Sequence, residues 1–258
     1  MSAETLHAGI AELVERYDLD AHQGEQIGEL LALLEAEARA PSSVRSPELA
    51  LDVHVADSLV ALELAAARGA RALADLGSGA GFPGLPLAIA LSDGAVTLVE
   101  SQARKCRYLE RAIAELGLAN ARVVCARAEE WSAGAGASDA VLARALAPQA
   151  VVLEYAAPLL RLGGALVDWR GKRSAADEQS AQEACPLLGM ALQEIRRVQP
   201  FASARERHLH VFIKVAETPP RFPRRAGVAR RRPMAVTPAD RPRKQRQSRR
   251  SSGAIDAV

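Results

Sequence analysis

Apolar positions repeat at helical spacing through the first quarter of the chain, then give way to short apolar runs separated by helical stretches. Leu6, Ile10, Leu13, Val14 and Tyr17, followed by Ile27, Leu30, Leu31 and Leu34, predict two helices within residues 4–37. Ala40-Pro41-Ser42-Ser43 breaks that pattern. Leu51, Val55, Leu59, Leu62 and Leu64 predict a third helix over about 47–68, with Gly69 as its stop. From residue 71 the runs at 72–76, 96–100, 122–125, 140–143 and 165–169 read as strands, and two more lie near 190–200 and 207–215. Helices are predicted between them over about 83–91, 102–117, 148–160 and 174–188.

This alternation predicts an α/β fold with a mostly parallel, seven-stranded, Rossmann-like sheet covered by helices on both faces. Residues 1–69 are expected to form a helical extension packed on the core, 70–217 the sheet domain, and 218–258 a basic tail without packed structure. No internal repeat is visible.

Length and composition narrow the class. A chain of 258 residues can bury one substantial core, and 49% hydrophobic content with 3% aromatic fits a globular protein rich in Ala and Leu. No stretch approaches the roughly 18 uninterrupted apolar residues of a membrane span. The N-terminus lacks the basic-then-apolar layout of a secretory signal. Cys106, Cys125 and Cys185 lie at wide, unrelated spacings that suggest neither a disulfide framework nor a zinc site. A cytoplasmic protein away from membranes is expected, and a monomer is the default. Charge is distributed unevenly. Residues 219–258 carry twelve Lys/Arg and two Asp/Glu, a net of +10; the remaining 21 basic and 29 acidic residues give 1–218 a net of −8. An acidic body with a basic tail suits either a polyanionic partner such as nucleic acid or a tail that only aids solubility.

The candidate chemistry begins at Asp75-Leu76-Gly77-Ser78-Gly79-Ala80-Gly81-Phe82-Pro83-Gly84. Two glycine patterns overlap there, Gly77-x-Gly79-x-Gly81 and Gly79-x-Gly81-x-x-Gly84, and the second alone is weak evidence for a dinucleotide. Asp75 favours S-adenosylmethionine: a carboxylate at a strand end can orient the loop and accept from an ammonium, whereas a pyrophosphate gains nothing from it. Pro83 sits where the first helical turn begins, and a helix start can hold a carboxylate. Glu100 ends the second strand, where it can accept ribose hydroxyls of either cofactor class. Ala128-Glu129-Glu130 follows the third strand, where an adenine edge would lie.

The chain resembles the bacterial 16S ribosomal RNA guanine-N7 methyltransferases, formerly called glucose-inhibited division protein B, over about residues 25–235. The blocks that carry the resemblance are Val53-His54-Val55-Ala56-Asp57-Ser58-Leu59, the loop of residues 75–86, Lys105-Cys106-Arg107-Tyr108-Leu109, Arg127-Ala128-Glu129-Glu130, Ala143-Arg144-Ala145, Arg170-Gly171-Lys172 and Glu206-Arg207-His208-Leu209. Gly-Phe-Pro-Gly-Leu-Pro in the loop is far more specific than its glycines. The chain departs from the family pattern at Ala40-Pro41-Ser42 and at Val53. The resemblance implies a class I S-adenosylmethionine-dependent methyltransferase fold and a cofactor site lined by Gly77, Phe82, Ala128, Glu129 and Arg144. It also implies a guanine substrate, conventionally numbered 527, in 16S RNA or the small ribosomal subunit.

The residues agree with that chemistry. Guanine N7 has an in-plane lone pair and no proton, so its methylation needs positioning and electrostatics without a general base. No Asp/Asn-Pro-Pro-aromatic tetrad follows the fourth strand; Arg144 stands there, suited to hold the cofactor carboxylate, an RNA phosphate or the guanine O6 face. The expected cofactor contacts are therefore Asp75, Gly77, Gly79, Phe82, Glu100, Ala128, Glu129 and Arg144. Arg127, Lys172, Arg207, Arg224 and Arg225 are candidate phosphate contacts. His54 and Asp57, three residues apart on a helix, read as a structural hydrogen-bonded pair. Phe82, Tyr155 and Trp169 are the aromatics available to stack on a base, with Phe82 best placed. Cys185-Pro186 has the form of a pyrimidine-C5 nucleophile but lies far from the fourth strand. His208 and His210 share a strand face without a third ligand, so no metal is expected. Small-molecule methyltransferase, nicotinamide-dependent oxidoreductase and non-catalytic RNA-binding protein are the alternatives. The Arg-rich blocks, Asp75 and the intact loop weigh against them in turn.

Overall fold

The computed structural model describes residues 3–37 and 42–234. The expected break at Ala40-Pro41 and the basic run over 235–258 lie outside the described residues.

Helices α1 (Ala3–Tyr17) and α2 (Ala21–Ala36) open the chain. Asp20 starts α2 by a reciprocal cap: its side chain accepts from Gln23 N, and the Gln23 side chain accepts from Asp20 N. The single helix expected over 47–68 is instead a chain of short pieces. These are α3 (Pro47–Ala50), a π-helical turn (Leu51–Ala56), α4 (Asp57–Leu59), a 3-10 turn (Val60–Glu63) and, after extended Leu64, α5 (Ala65–Arg68). Leu59, Val60, Ala61, Leu62 and Leu64 are all buried, more apolar positions than one helical stripe can face inward. The run winds through the core instead of lying on it.

The remainder alternates β1 (Ala72–Leu76), α6 (Gly84–Ala90), β2 (Ala95–Glu100), α7 (Ala103–Glu115), β3 (Ala121–Cys125), β4 (Ser138–Arg144), α8 (Gln149–Ala156), β5 (Leu160–Arg170), α9 (Ala175–Leu188), β6 (Met190–Arg197), β7 (His208–Lys214) and α10 (Val228–Arg231). The sheet order is β3-β2-β1-β4-β5-β7-β6. All pairings from β3 to β5 are parallel, while β7 lies antiparallel between β5 and β6.

Strand parity sorts side chains onto two cores. Leu73, Leu98, Ala140, Leu142, Ala165 and Val167 pack with the N-terminal helices, α6 and α7, whereas Ala74, Val99, Val141, Ala143 and Leu166 pack with α8 and α9. Gln23 and Gln26 of α2 add hydrogen bonds to the carbonyls of Ile89 and Leu116.

Two expectations are corrected. Residues 218–234 are not an unstructured start to the tail: Thr218 Oγ1 donates to Leu188 O, Arg224 pairs with buried Glu154, and α10 follows. Cys106 and Cys125 form a disulfide with a Cα–Cα distance of 5.8 Å. Nineteen residues separate them, but the turn from α7 into β3 brings the helix start beside the strand end.

Candidate functional site

The strand order reverses at β1, which lies between β2 and β4, and the crevice at such a point is where open α/β sheets bind ligands. The glycine loop follows β1 there. Gly77 N and Ser78 N both donate to Val99 O, holding the loop against β2. Gly77 has φ +71°, and a Cβ on it would stand 2.6 Å from Leu146 Cδ1. Only glycine allows the loop to run so close to the segment after β4.

Gly77, Glu100, Ala128 and Glu129 meet around a cavity of about 380 Å³. Buried Glu100 accepts Gly79 N–H on Oε2 at 3.1 Å and the Ser101 and Gln102 N–H groups on Oε1 at 2.7 and 2.8 Å. Oε2 keeps a lone pair for a ribose hydroxyl. Arg127, expected to touch RNA, lines this same cavity, as does Tyr155. The Tyr155 hydroxyl lies buried beside Arg230 at this cavity, and burial pushes its pKa up. Size and the two carboxylates at the lining fit an adenosyl ligand.

Four expected cofactor contacts, Asp75, Gly79, Phe82 and Arg144, do not line the cavity. Asp75 is 1% exposed and accepts Gly84 N–H at 3.1 Å, at the start of α6. Burial pushes its pKa up to about 6. It ties the end of β1 to the start of α6 from behind the loop. Gly79 acts through its N–H on Glu100. Phe82 is buried against His54, rings stacked 4.6 Å apart, with the Arg144 guanidinium 5.7 Å from its centroid. That packing leaves its ring no open face for a guanine. The peptide before Pro83 is cis, and the helix begins one residue later, at Gly84.

Arg144 shares strand parity with Ala140 and Leu142, so its side chain faces the N-terminal helices. Nη1 donates to Asp57 Oδ2 at 3.0 Å and to Val53 O at 3.2 Å, and Nη2 lies 3.4 Å from His54 Nδ1. Arg207 Nε donates to the other Asp57 oxygen at 3.2 Å, and Trp169 Nε1 donates to Asp57 O at 2.7 Å. Asp57 thus joins β4, β5 and the residue just before β7 to the N-terminal extension. The expected pairing of His54 with Asp57 is replaced by two separate contacts to Arg144. Burial first, and then Arg144, lowers the His54 pKa to about 4. In the neutral ring Nδ1 accepts on the Arg144 side, and Nε2–H donates to Ser42 Oγ at 2.7 Å.

The other expected RNA contacts divide. Lys172 and Arg225 are exposed, whereas Arg207 is shared with Asp57. Arg224 commits its guanidinium to Glu154. The Cys185 thiol is buried and pushed up to about 12, so it is not a nucleophile. Sequence patterns missed Asp57 as the hub, as well as Leu146 and Arg230 at the cavity, because each is brought there by tertiary packing.

A seven-stranded sheet with an antiparallel β7 and an adenosyl-sized cavity beyond β1 and β2 defines a class I S-adenosylmethionine-dependent methyltransferase. The fold is shared with a SAM dependent methyltransferase from Aquifex aeolicus, at a TM-score of 0.52 and 14% identity, over 73% of this chain and 98% of that one. The sequence model of the family described as rRNA small subunit methyltransferase G matches residues 27–210. A Ribosomal RNA small subunit methyltransferase G from Rubrobacter xylanophilus is 38% identical over 233 residues, covering 85% of this chain and 89% of that one. Another, from Desulfitobacterium hafniense, is 37% identical over 196 residues, covering 75% and 81%. The chain belongs to the rRNA small subunit methyltransferase G family. It is an S-adenosylmethionine-dependent ribosomal RNA methyltransferase.

Proposed function

We propose that the protein methylates N7 of one guanine, conventionally position 527, in 16S RNA of the small ribosomal subunit. It would act as a monomer in the cytoplasm. The single observation that carries this reading is Arg144 held on Asp57 by a 3.0 Å hydrogen bond at the end of β4, the strand beside β1. S-adenosylmethionine, bound along Gly77, Glu100, Ala128 and Glu129, supplies an electrophilic methyl group. The acceptor nitrogen needs no proton removed, so the protein's part is to hold both partners in line and complement charge. Arg144 is fixed by three contacts and supplies a cation for guanine O6 or an adjacent phosphate. Exposed Lys172 and Arg225, together with Arg127 at the cavity, suit phosphates of a folded RNA, and the basic run after residue 234 adds salt-sensitive attraction.

The test is to map N7-methylguanine in 16S RNA from cells with and without the gene. Loss of the modification at that one position is expected. An unchanged modification there overturns the substrate assignment.

A further inference from the structure

Beyond β7 the chain runs to α8 and then to the cofactor cavity, held at each step by specific contacts. Phe222 packs on the core formed with α8 and α9. Arg224 binds Glu154 by two parallel contacts, Nε to Oε1 at 2.8 Å and Nη2 to Oε2 at 2.5 Å, while its backbone N donates to Oε1 at 2.9 Å. Glu154 is completely buried, so Arg224 is the cation that makes its burial tolerable. Three residues on, Gly227 N donates to Glu129 Oε1 at 2.9 Å. Ala229 is buried, and Arg230 Nη2 donates to Leu146 O at 2.9 Å, which brings its guanidinium to the cavity lining beside Tyr155.

These contacts are not those of a tail that awaits RNA. Arg224 turns inward to Glu154, and the exposed Arg230 reaches back to Leu146 O at the cavity. The segment also covers one particular end of the cavity: Glu129 follows β3, where the adenine edge lies, and Leu146 follows β4. With Oε1 taken by Gly227, Glu129 is held with Oε2 left to accept from an exocyclic amine. The Arg230 guanidinium is planar, and one of its nitrogens is held on Leu146 O at the cavity. A guanidinium plane stacks well on a purine face.

We propose that residues 224–230 form a wall of the S-adenosylmethionine site, in which Arg230 covers the adenosine end and Gly227 fixes the Glu129 carboxylate. Cofactor affinity then depends on a segment that composition alone assigns to the basic tail. The proposal rests on the cavity being the cofactor site.

The experiment is calorimetric titration of the full chain with S-adenosylhomocysteine and, separately, with adenosine. Wild type is compared with Arg230→Ala, Arg231→Ala and Gly77→Val. Arg231 is an exposed neighbour that does not line the cavity, so its loss removes the same charge without the contact. Arg230→Ala should weaken both ligands by about tenfold and raise the KM for the methyl donor while leaving kcat at saturating donor unchanged. Arg231→Ala should stay within about twofold of wild type. Binding by Arg230→Ala within twofold of wild type overturns the proposal, as does equal weakening by both arginine variants. Weakening of S-adenosylhomocysteine without adenosine overturns the assignment to the adenosine end. If Gly77→Val leaves binding intact, the cavity itself is misassigned, a failure distinct from that of the wall.

Discussion

Arg144 and Asp57 stand 87 residues apart in the chain and meet through a 3.0 Å hydrogen bond at the cleft. The carboxylate that receives Arg144 also receives Arg207. One buried acidic group therefore sets the position of two cations, one at the end of β4 and one just before β7.

Arg144→Ala should lower methylation of 16S RNA by about 100-fold, the scale of removing one charge-stabilising donor. Its melting temperature should stay near that of wild type, because Asp57 retains Arg207. Arg144→Lys should recover little, since one ammonium cannot reach both Asp57 and Val53 O in the same geometry. Wild-type turnover in the alanine variant would refute the role.

Asp57→Asn tests positioning separately from contact. Asp57 does not line the cavity, so S-adenosylhomocysteine affinity should remain within about twofold of wild type, while kcat falls by about tenfold or more from misplacement of Arg144. Equal losses in affinity and turnover would instead indicate a general collapse of the site.

Arg224→Ala should behave as a stability mutation. It leaves Glu154 charged and wholly buried, a loss of about 3–5 kcal/mol for a broken buried pair, read from urea unfolding. A stable variant with only weakened, less salt-dependent RNA binding would return Arg224 to the phosphate-contact role.

Gly84→Ala should destabilise the protein and weaken cofactor binding together. A Cβ there would meet the Leu98 side chain and stand 2.7 Å from Asp75 Oδ2, so α6 must move off β1. Overpacking of this kind costs about 1–3 kcal/mol. Unaltered melting with unaltered binding would contradict the close approach.

The pH dependence separates two opposed pairs. Burial lowers His54 and His210 to about 4, so between pH 6.5 and 4 the unfolded chain binds protons the folded chain refuses. Their contribution to stability falls as pH falls through that window. Burial raises Asp75 and Asp168 to about 6, so between pH 6 and 3.8 the folded chain holds protons the unfolded chain releases. Their contribution rises as pH falls. His54→Asn removes one term from the first pair, and its stability relative to wild type should rise between about pH 7 and 4.5. A difference constant over that range would show that His54 is not held neutral.

Much of the architecture was legible because it depends on local chemistry. Short, near-continuous apolar runs marked β1 to β5, helical periodicity marked α1 and α2, and the stretches between strands marked α7 and α9. Glu100 and Glu129 could be placed beside the glycine loop because each follows a strand at the same end of a parallel sheet. The helix expected over 47–68 failed for a tertiary reason: its apolar residues face inward on every side, which periodicity cannot distinguish from a single stripe.

Residue types and spacing alone determined the alternating α/β order, the glycine loop and the two carboxylates that flank it. Only the folded chain decided what those residues face. Strand parity turned Arg144 and Trp169 toward Asp57, packing turned Asp75 to the start of α6 and Phe82 onto His54, and contacts with Glu154, Glu129 and Leu146 drew the start of the basic tail back to α8 and the cavity. Short-range periodicity records which residues share a face. What covers that face is set by contacts between segments far apart in the chain.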